Sequence, residues 1–275
     1  MQDLRIIIVD GGYSSIPVPR YCLWPAAVNW KDLRELQQEV HAALVLVCGA
    51  PPYTKKLEQK LLETFPEWTL SHTPNNCSSN LSLVDPVISS GVPQSAASGS
   101  SGVSSGVTQS AAPDIEELEL SGQGRMAQVL KLRTNEGSAF SVLFTKQHHG
   151  AASTGYHFDA DQRQMSLNAI FREVQQHTGP FIVCGGLGPT LSASCDTRWP
   201  APVQRLSEDV KDPSQLSALV CGFRASKVEG ALGASSGVLI IHCAADPAAE
   251  VAASKRSDPA RKKHRVSESS SGERS

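Results

Sequence analysis

The chain has 275 residues, of which 40% are hydrophobic and 19% charged, with a formal net charge of -2. This composition is close to the globular average and can fill one sizeable core or two small ones. The balanced charge excludes a global basic field for nucleic acid and an acidic excess for cations, so partners have to be inferred from local features.

The seven cysteines are odd in number and never occur in CxxC spacing, and four of them fall inside apolar runs. This pattern predicts reduced, buried thiols in an intracellular protein, nuclear or cytoplasmic, rather than a disulfide or zinc framework. The N-terminal text MQDLRIIIVDGG has no basic start and too short an apolar run for a signal peptide. No stretch approaches the roughly 20 apolar residues of a membrane span, so no membrane association is expected.

The first segment alternates strand and helix patterns. LRIIIV at 4–9 predicts a strand that is closed by Asp10 and two glycines. A helix capped by Asn29, a second strand ALVLVC at 43–48 and a helix capped by Thr54 follow. The order β-α-β-α predicts a parallel strand pair.

A short tandem repeat interrupts this order. SSGVPQSAA at 89–97 recurs as SSGVTQSAA at 104–112, without a charged residue. Such a segment buries too little apolar surface to offset its conformational entropy, which predicts a disordered insertion over 89–113. The insertion separates a first half-domain, 1–88, from a second half of the same domain, 114–245.

The second half begins with three strand-like segments, IEELEL, RMAQVLKL and FSVLFT, which are predicted to be antiparallel neighbours. A helix starting at Asp159 or Asp161 leads to the strand FIVC at 181–184, which ends in the turn GGLG. LSALVCGF at 216–223 and VLIIHC at 238–243 predict two final strands.

The tail, 246–275, is predicted to be disordered and carries a local basic cluster. This cluster suits a nuclear import signal or a contact with an anionic partner, and a solubilising end is the alternative. We expect the partner to be a protein, or nucleic acid reached through the basic residues Lys255, Arg256, Arg261, Lys262, Lys263 and Arg265.

The order of elements resembles the endonuclease/exonuclease/phosphatase superfamily, which includes apurinic endonucleases, type I DNases and deadenylases. The text DQRQMSLNAIFREV, with Arg163 and Gln164, is similar to a family helix that carries Arg and Gln. FIVCGGLG follows it, where the family has a strand ending in Gly-Asp-Phe-Asn. Over residues 4–245, the resemblance implies an α/β fold, a four-layer α/β sandwich with two mixed β-sheets (DNase I-like) whose loops surround Mg²⁺.

The resemblance also identifies departures from the family's catalytic pattern. Asp10 stands where the family's first strand ends in Asn. Other residue types stand at the metal-binding and catalytic positions: Gly49 for Glu, Gly186 for Asp, Gly188 for Asn, Lys146 for His, and Ser236-Gly237 for Asp-His. Glycine can neither hold Mg²⁺ nor transfer a proton, so the resemblance implies a pseudoenzyme with no catalytic, metal or cofactor-binding residues.

We therefore interpret the chain as a non-catalytic member of this superfamily that acts as a binding or assembly module. The first alternative is a divergent Mg²⁺-dependent phosphodiesterase or nuclease that uses Asp10, His148, His149 and Asp159. This alternative requires the four side chains to converge on one pocket. The second alternative is an unrelated α/β protein with a single open sheet.

Overall fold

A computed structural model describes residues 3–11, 28–75, 78–90, 113–121, 125–134, 137–146, 160–177, 179–187, 203–207, 216–232 and 237–246. The helices in these ranges are α1 (Trp30–Val40), α2 (Lys55–Thr64) and α3 (Ala160–Gln176). The strands are β1 (Leu4–Asp10), β2 (Leu44–Ala50), β3 (Thr69–Asn75), β4 (Ser78–Val84), β5 (Ser89–Ser90), β6 (Asp114–Ser121), β7 (Arg125–Arg133), β8 (Ala139–Lys146), β9 (Phe181–Gly186), β10 (Gln204–Ser207), β11 (Ser217–Cys221), β12 (Phe223–Val228) and β13 (Val238–Ala245).

The described strands form two mixed sheets. The first sheet has the order β12-β13-β1-β2-β4-β3, and the second has the order β10-β11-β9-β8-β7-β5, with β6 also paired to β7. The neighbours β1 and β2 are parallel, as are β8 and β9, whereas the other pairings are antiparallel. The predicted parallel pair and the predicted antiparallel trio β6-β7-β8 are both confirmed.

Burial on two faces explains why several strands are apolar without alternation. Ile6 and Ile8 of β1 pack into the core between the two sheets. Ile7 and Val9 point the other way, into a cluster with residues of α1 and α2. On the far side of the second sheet, α3 packs its apolar residues against β8 and β9. The layer order is therefore helix, sheet, sheet, helix, which confirms the predicted four-layer sandwich and excludes a single open sheet.

Both predicted helix caps are present in the structure. The Asn29 side chain accepts a hydrogen bond from the Lys31 backbone N–H at 3.1 Å. The Thr54 hydroxyl accepts one from the Leu57 N–H at 3.2 Å. These bonds satisfy amide groups that have no partner within the first turn of a helix. None of the described helices is both long and apolar enough to cross a membrane.

The segment LSALVCGF was predicted to be one strand, and this prediction is wrong. It is divided at Gly222 between β11, which pairs with β9 in the second sheet, and β12, which pairs with β13 in the first sheet. Gly222 has a φ of 79°, a left-handed conformation that glycine adopts without the steric penalty of a side chain. The single apolar run thus contains the point at which the chain crosses between sheets.

Strands β3 and β10 were not predicted.

Two residues at the start of the predicted insertion belong to the second sheet. Ser89 and Ser90 form β5 and pair with Arg133 and Leu132 of β7. The ordered part of the chain therefore extends past residue 88, and the rest of the repeat, 91–112, lies outside the described residues.

The Gln204 side chain joins the two sheets at one edge. Its amide nitrogen donates to the Ala225 carbonyl at 2.5 Å, and its amide oxygen accepts from the Ala225 N–H at 3.1 Å. One side chain of β10 thus satisfies both backbone groups of a residue of β12, as a neighbouring strand would. This contact blocks part of an edge that could otherwise pair with another chain.

We predict that Gly222→Ala destabilises the fold by about 2 kcal/mol or more, since a left-handed conformation costs an L-residue about 1–2 kcal/mol. The added Cβ would also lie 2.9 Å from Pro180. Gly179→Ala is the matched control, because its Cβ would meet only the Ala139 carbonyl oxygen, at an ordinary 3.6 Å. Urea denaturation measures both variants, and equal losses of stability would contradict the role of Gly222.

Candidate functional site at the strand ends

The ends of four central strands meet at one end of the sandwich. Because β1 and β2 are parallel, Asp10 lies beside Cys48 and hence next to Gly49. Because β8 and β9 are parallel, Lys146 lies beside Gly186. The packing of one sheet on the other brings these two pairs together. We call Asp10, Gly49, Lys146 and Gly186 the strand-end site.

An ion pair between the two sheets occupies this site. The Lys146 Nζ donates to the Asp10 Oδ1 at 2.5 Å. The two side chains are only 10% and 12% exposed, so water screens their charges little. Removing either partner would leave a charge in a poorly hydrated setting, which is far more costly than breaking an ion pair on the surface.

Gly186 leaves room for the stem of Lys146. A Cβ atom built on Gly186 would lie 3.2 Å from the Lys146 Cγ, closer than ordinary van der Waals contact. The adjacent Gly185 has a φ of 123°, and a Cβ there would collide with the Thr145 carbonyl. A side chain at residue 186 would therefore crowd the stem of Lys146, which would have to shift by a few tenths of an ångström.

Gly49 and Gly11 form a close backbone approach on the other side of the site. Gly49 has a φ of 68°, and the pairing of β2 with β4 shifts register between Val47 and Ala50. The Gly11 N–H donates to the Cys48 carbonyl at 2.8 Å, and a Cβ on Gly11 would lie 2.5 Å from the Gly49 oxygen. The backbone at Gly49 thus has a conformation that disfavours the glutamate of the family.

The Cys48 thiol lies next to the ion pair but is not an activated nucleophile. Burial, and to a smaller extent the nearby Asp10 charge, raises the pKa of Cys48 to about 12, although Lys146 and the Gly186 backbone oppose the shift. Its Sγ donates to the Val9 carbonyl at 3.3 Å. A thiol with this pKa stays protonated at neutral pH, and only the thiolate is a good nucleophile. Cys48, Cys184, Cys221 and Cys243 are all buried thiols outside disulfides, as predicted for these four.

The described residues of the strand-end site do not fit the Mg²⁺ that the family resemblance implies. At this site Gly49 and Gly186 supply no ligand, and the Asp10 carboxylate already binds the Lys146 ammonium. At about 4 Å and an effective dielectric of about 20, a divalent cation and an ammonium would repel each other by on the order of 8 kcal/mol. No group of three or more His, Cys, Asp or Glu side chains in the described ranges could hold a metal ion.

Several of the predicted site residues lie outside the described residues. These are His148, His149 and Asp159 of the phosphodiesterase alternative, together with Gly188 and Ser236. Gly237 is described, and its carbonyl accepts the Asp10 N–H at 3.0 Å, so this family position does lie beside the strand-end site. Of the four residues that the phosphodiesterase alternative uses, Asp10 alone lies within the described residues.

The sequence reasoning missed the pairing of Asp10 with Lys146. It treated Asp10 as a candidate metal ligand and Lys146 as the replacement of a histidine. The available indication was that two strand ends, both altered from the family pattern, carry opposite charges. Sequence alone does not show that these ends, 136 residues apart, face each other.

Comparison with known proteins supports the fold at a very low level of sequence identity. No protein-family model matches the sequence, and no curated protein matches it. Similar solved structures include an endonuclease/exonuclease/phosphatase from Bacteroides vulgatus (TM-score 0.59, 10% identity, 90% of this chain and 100% of that chain). Another is D. rerio TDP2 complexed with a single strand DNA product (TM-score 0.55, 9% identity, 88% of this chain and 98% of that chain). A third is the human Nocturnin catalytic domain with bound sulfate (TM-score 0.53, 10% identity, 89% of this chain and 94% of that chain).

The chain therefore has the DNase I-like fold of the endonuclease/exonuclease/phosphatase superfamily, as the resemblance implied. Within this fold, the described strand ends carry an internal ion pair and glycines.

We predict that Lys146→Met destabilises the protein by about 3 kcal/mol, since it leaves the Asp10 carboxylate without its cation in a poorly hydrated site. The control is Lys131→Met, whose partner Glu116 forms a more exposed ion pair, with side chains 33% and 49% exposed. That change is expected to cost about 0–1 kcal/mol. Adding Asp10→Asn to Lys146→Met is expected to recover part of the loss. Additive effects of the two substitutions in denaturant unfolding would contradict the coupling.

Proposed function

We propose that this chain is a non-catalytic protein of the endonuclease/exonuclease/phosphatase fold that acts as a binding or assembly module. The observation that carries the proposal is the ion pair between Lys146 and Asp10 at the strand-end site. It neutralises Asp10, which carries the only carboxylate among the four residues of the strand-end site. A buried ammonium can neutralise this carboxylate, but it cannot generate a hydroxide from bound water as a metal does.

The glycines support the same proposal independently of charge. Gly49 and Gly186 belong to different sheets, and neither has a side chain that could act as a general base. An aspartate at residue 186 would crowd Lys146, because its Cβ would lie 3.2 Å from the Lys146 Cγ. The departures from the family pattern at Lys146 and Gly186 are thus mutually compatible, because the lysine side chain occupies space that the glycine leaves open.

The divergent phosphodiesterase remains the alternative to be tested. It needs Asp10 to leave Lys146 and to act with His148, His149 and Asp159. Separating Asp10 from Lys146 would have to overcome the attraction between the carboxylate and the ammonium group.

For the partner, we propose a protein, with single-stranded nucleic acid as the competing candidate. The second candidate is favoured by the basic residues Arg261, Lys262 and Lys263 of the tail. It is also favoured by the similar TDP2 structure, which is a complex with a single strand DNA product. The chain's near-neutral net charge of -2 favours the protein partner, because it gives no broad attraction for phosphates.

We predict no Mg²⁺-dependent hydrolysis of abasic DNA, RNA or phosphoinositides, and no Mg²⁺ binding tighter than about 1 mM by titration calorimetry. The measurement compares the purified chain with an active enzyme of the same fold under identical conditions. Asp10→Ala and His149→Ala are the matched variants, each checked for folding by circular dichroism. Turnover that either substitution abolishes would contradict the proposal and support the divergent phosphodiesterase.

The partner is tested in cells with the full chain and with a chain that lacks residues 246–275. Pull-down followed by mass spectrometry, with and without nuclease treatment, distinguishes the two candidates. Proteins that are retained after nuclease treatment support a protein partner. Loss of all specific capture after nuclease treatment, or after deletion of the tail, favours nucleic acid.

A further inference from the structure

The space between the sheets is not apolar throughout. On the side formed by β3, β4 and β7, four fully buried polar residues lie between the sheets: Thr73, Asn80, Ser82 and Gln128, each with 0% exposure. We call this set the polar chamber. It has no role in the proposed function, which depends on the strand-end site.

Two hydrogen bonds show that the side chains of the chamber cross from one sheet to the other. The Asn80 Nδ2 of β4 donates to the Met126 carbonyl of β7 at 3.0 Å. The Gln128 Nε2 of β7 donates to the Ser71 hydroxyl of β3 at 2.9 Å. Leu81 and Leu83 alternate with Ser82 along β4 and pack toward the helices, so Ser82 faces the opposite sheet.

The strand register arranges these groups in two layers. Thr73 pairs with Asn80, which forms one layer with the Met126 carbonyl. Ser71 pairs with Ser82, which forms the next layer with Gln128. Each layer therefore contains one amide group and at least one hydroxyl group.

Four buried oxygens of the chamber have no hydrogen-bond partner among the residues that the structure describes. They are the Asn80 Oδ1, the Gln128 Oε1, the Thr73 Oγ1 and the Ser82 Oγ. Unsatisfied polar atoms in a core are costly, and folded proteins satisfy nearly all of them with protein groups or ordered water. Each of the two layers holds one unsatisfied amide oxygen and one unsatisfied hydroxyl oxygen.

We propose that the polar chamber is a binding site for ordered water, with at least one molecule in each layer. An amide oxygen accepts hydrogen bonds and cannot donate, so its ligand has to be a donor. A hydroxyl group can donate or accept, so a water molecule satisfies both kinds of atom at once. The four chamber residues are uncharged, which favours a neutral ligand over an anion or a divalent cation. Their complete burial favours a ligand as small as water.

The chamber lies directly beside the strand-end site. The Thr145 hydroxyl donates to the same Met126 carbonyl that Asn80 contacts, at 3.1 Å. The next residue in the chain is Lys146. Bound water in the chamber therefore lies between the sheets on the side away from β9, β11 and β13.

A crystal structure of the full chain, with one crystal soaked in thallous ion, tests the site directly. We expect water density within about 3.2 Å of the Asn80 Oδ1 and the Gln128 Oε1, with no anomalous signal there. An empty chamber, or direct pairing of these oxygens with protein donors, would overturn the proposal. An anomalous thallium peak would overturn it as well, because it would identify a monovalent-cation site.

Measurements of Tm provide a second test, in which the direction of the change distinguishes a hydrated chamber from a dry one. If water binds the chamber hydroxyls, then Thr73→Val and Ser82→Ala each remove a hydrogen bond and lower the Tm by about 2–4 °C. If the chamber is dry, the same substitutions remove an unsatisfied group and raise the Tm. Thr145→Val is the matched control, since it removes a hydroxyl whose partner is known and has to lower the Tm in either case.

Discussion

The contact between Lys146 and Asp10 is the interaction on which this end of the molecule depends. Asp10 ends β1 in the first sheet, and Lys146 ends β8 in the second, so their ion pair fastens the two sheets where their central strands end. Apolar packing holds the sheets together deeper in the sandwich, through residues such as Ile8 and Phe144. At these strand ends, a charge pair contributes to the contact between the sheets instead.

This pair also constrains the residues around it. The stem of Lys146 requires the open space at Gly186, and the tight approach of Gly11 to Gly49 shapes the other wall. The Cys48 thiol remains protonated beneath the pair because it is buried and faces a carboxylate. Substituting one of these positions therefore affects the packing of the others.

Local patterns predicted most of the fold because the physics that sets them is local. Asn29 and Thr54 cap their helices with their own side chains, and the runs LRIIIV and FIVC are buried on both faces. The division of LSALVCGF at Gly222 could not be predicted, since an apolar run does not reveal that its two parts join different sheets. The ion pair and the polar chamber were missed for the same reason: each depends on contacts between the sheets, which no local periodicity encodes.

The crossing at Gly222 has a consequence for how the chain assembles. It sends β12 and β13 back to the first sheet, where Cys243 pairs with Leu4 across almost the whole described length. Strand β1 therefore gains both of its neighbouring strands only when β13, one of the last strands in the chain, pairs with it. Closing so long a loop is entropically costly, so this topology predicts slow folding with the edge of β1 exposed during synthesis. The two halves on either side of the Ser/Gly/Ala repeat are consequently not independent folding units, although the sequence shows a clear break between them.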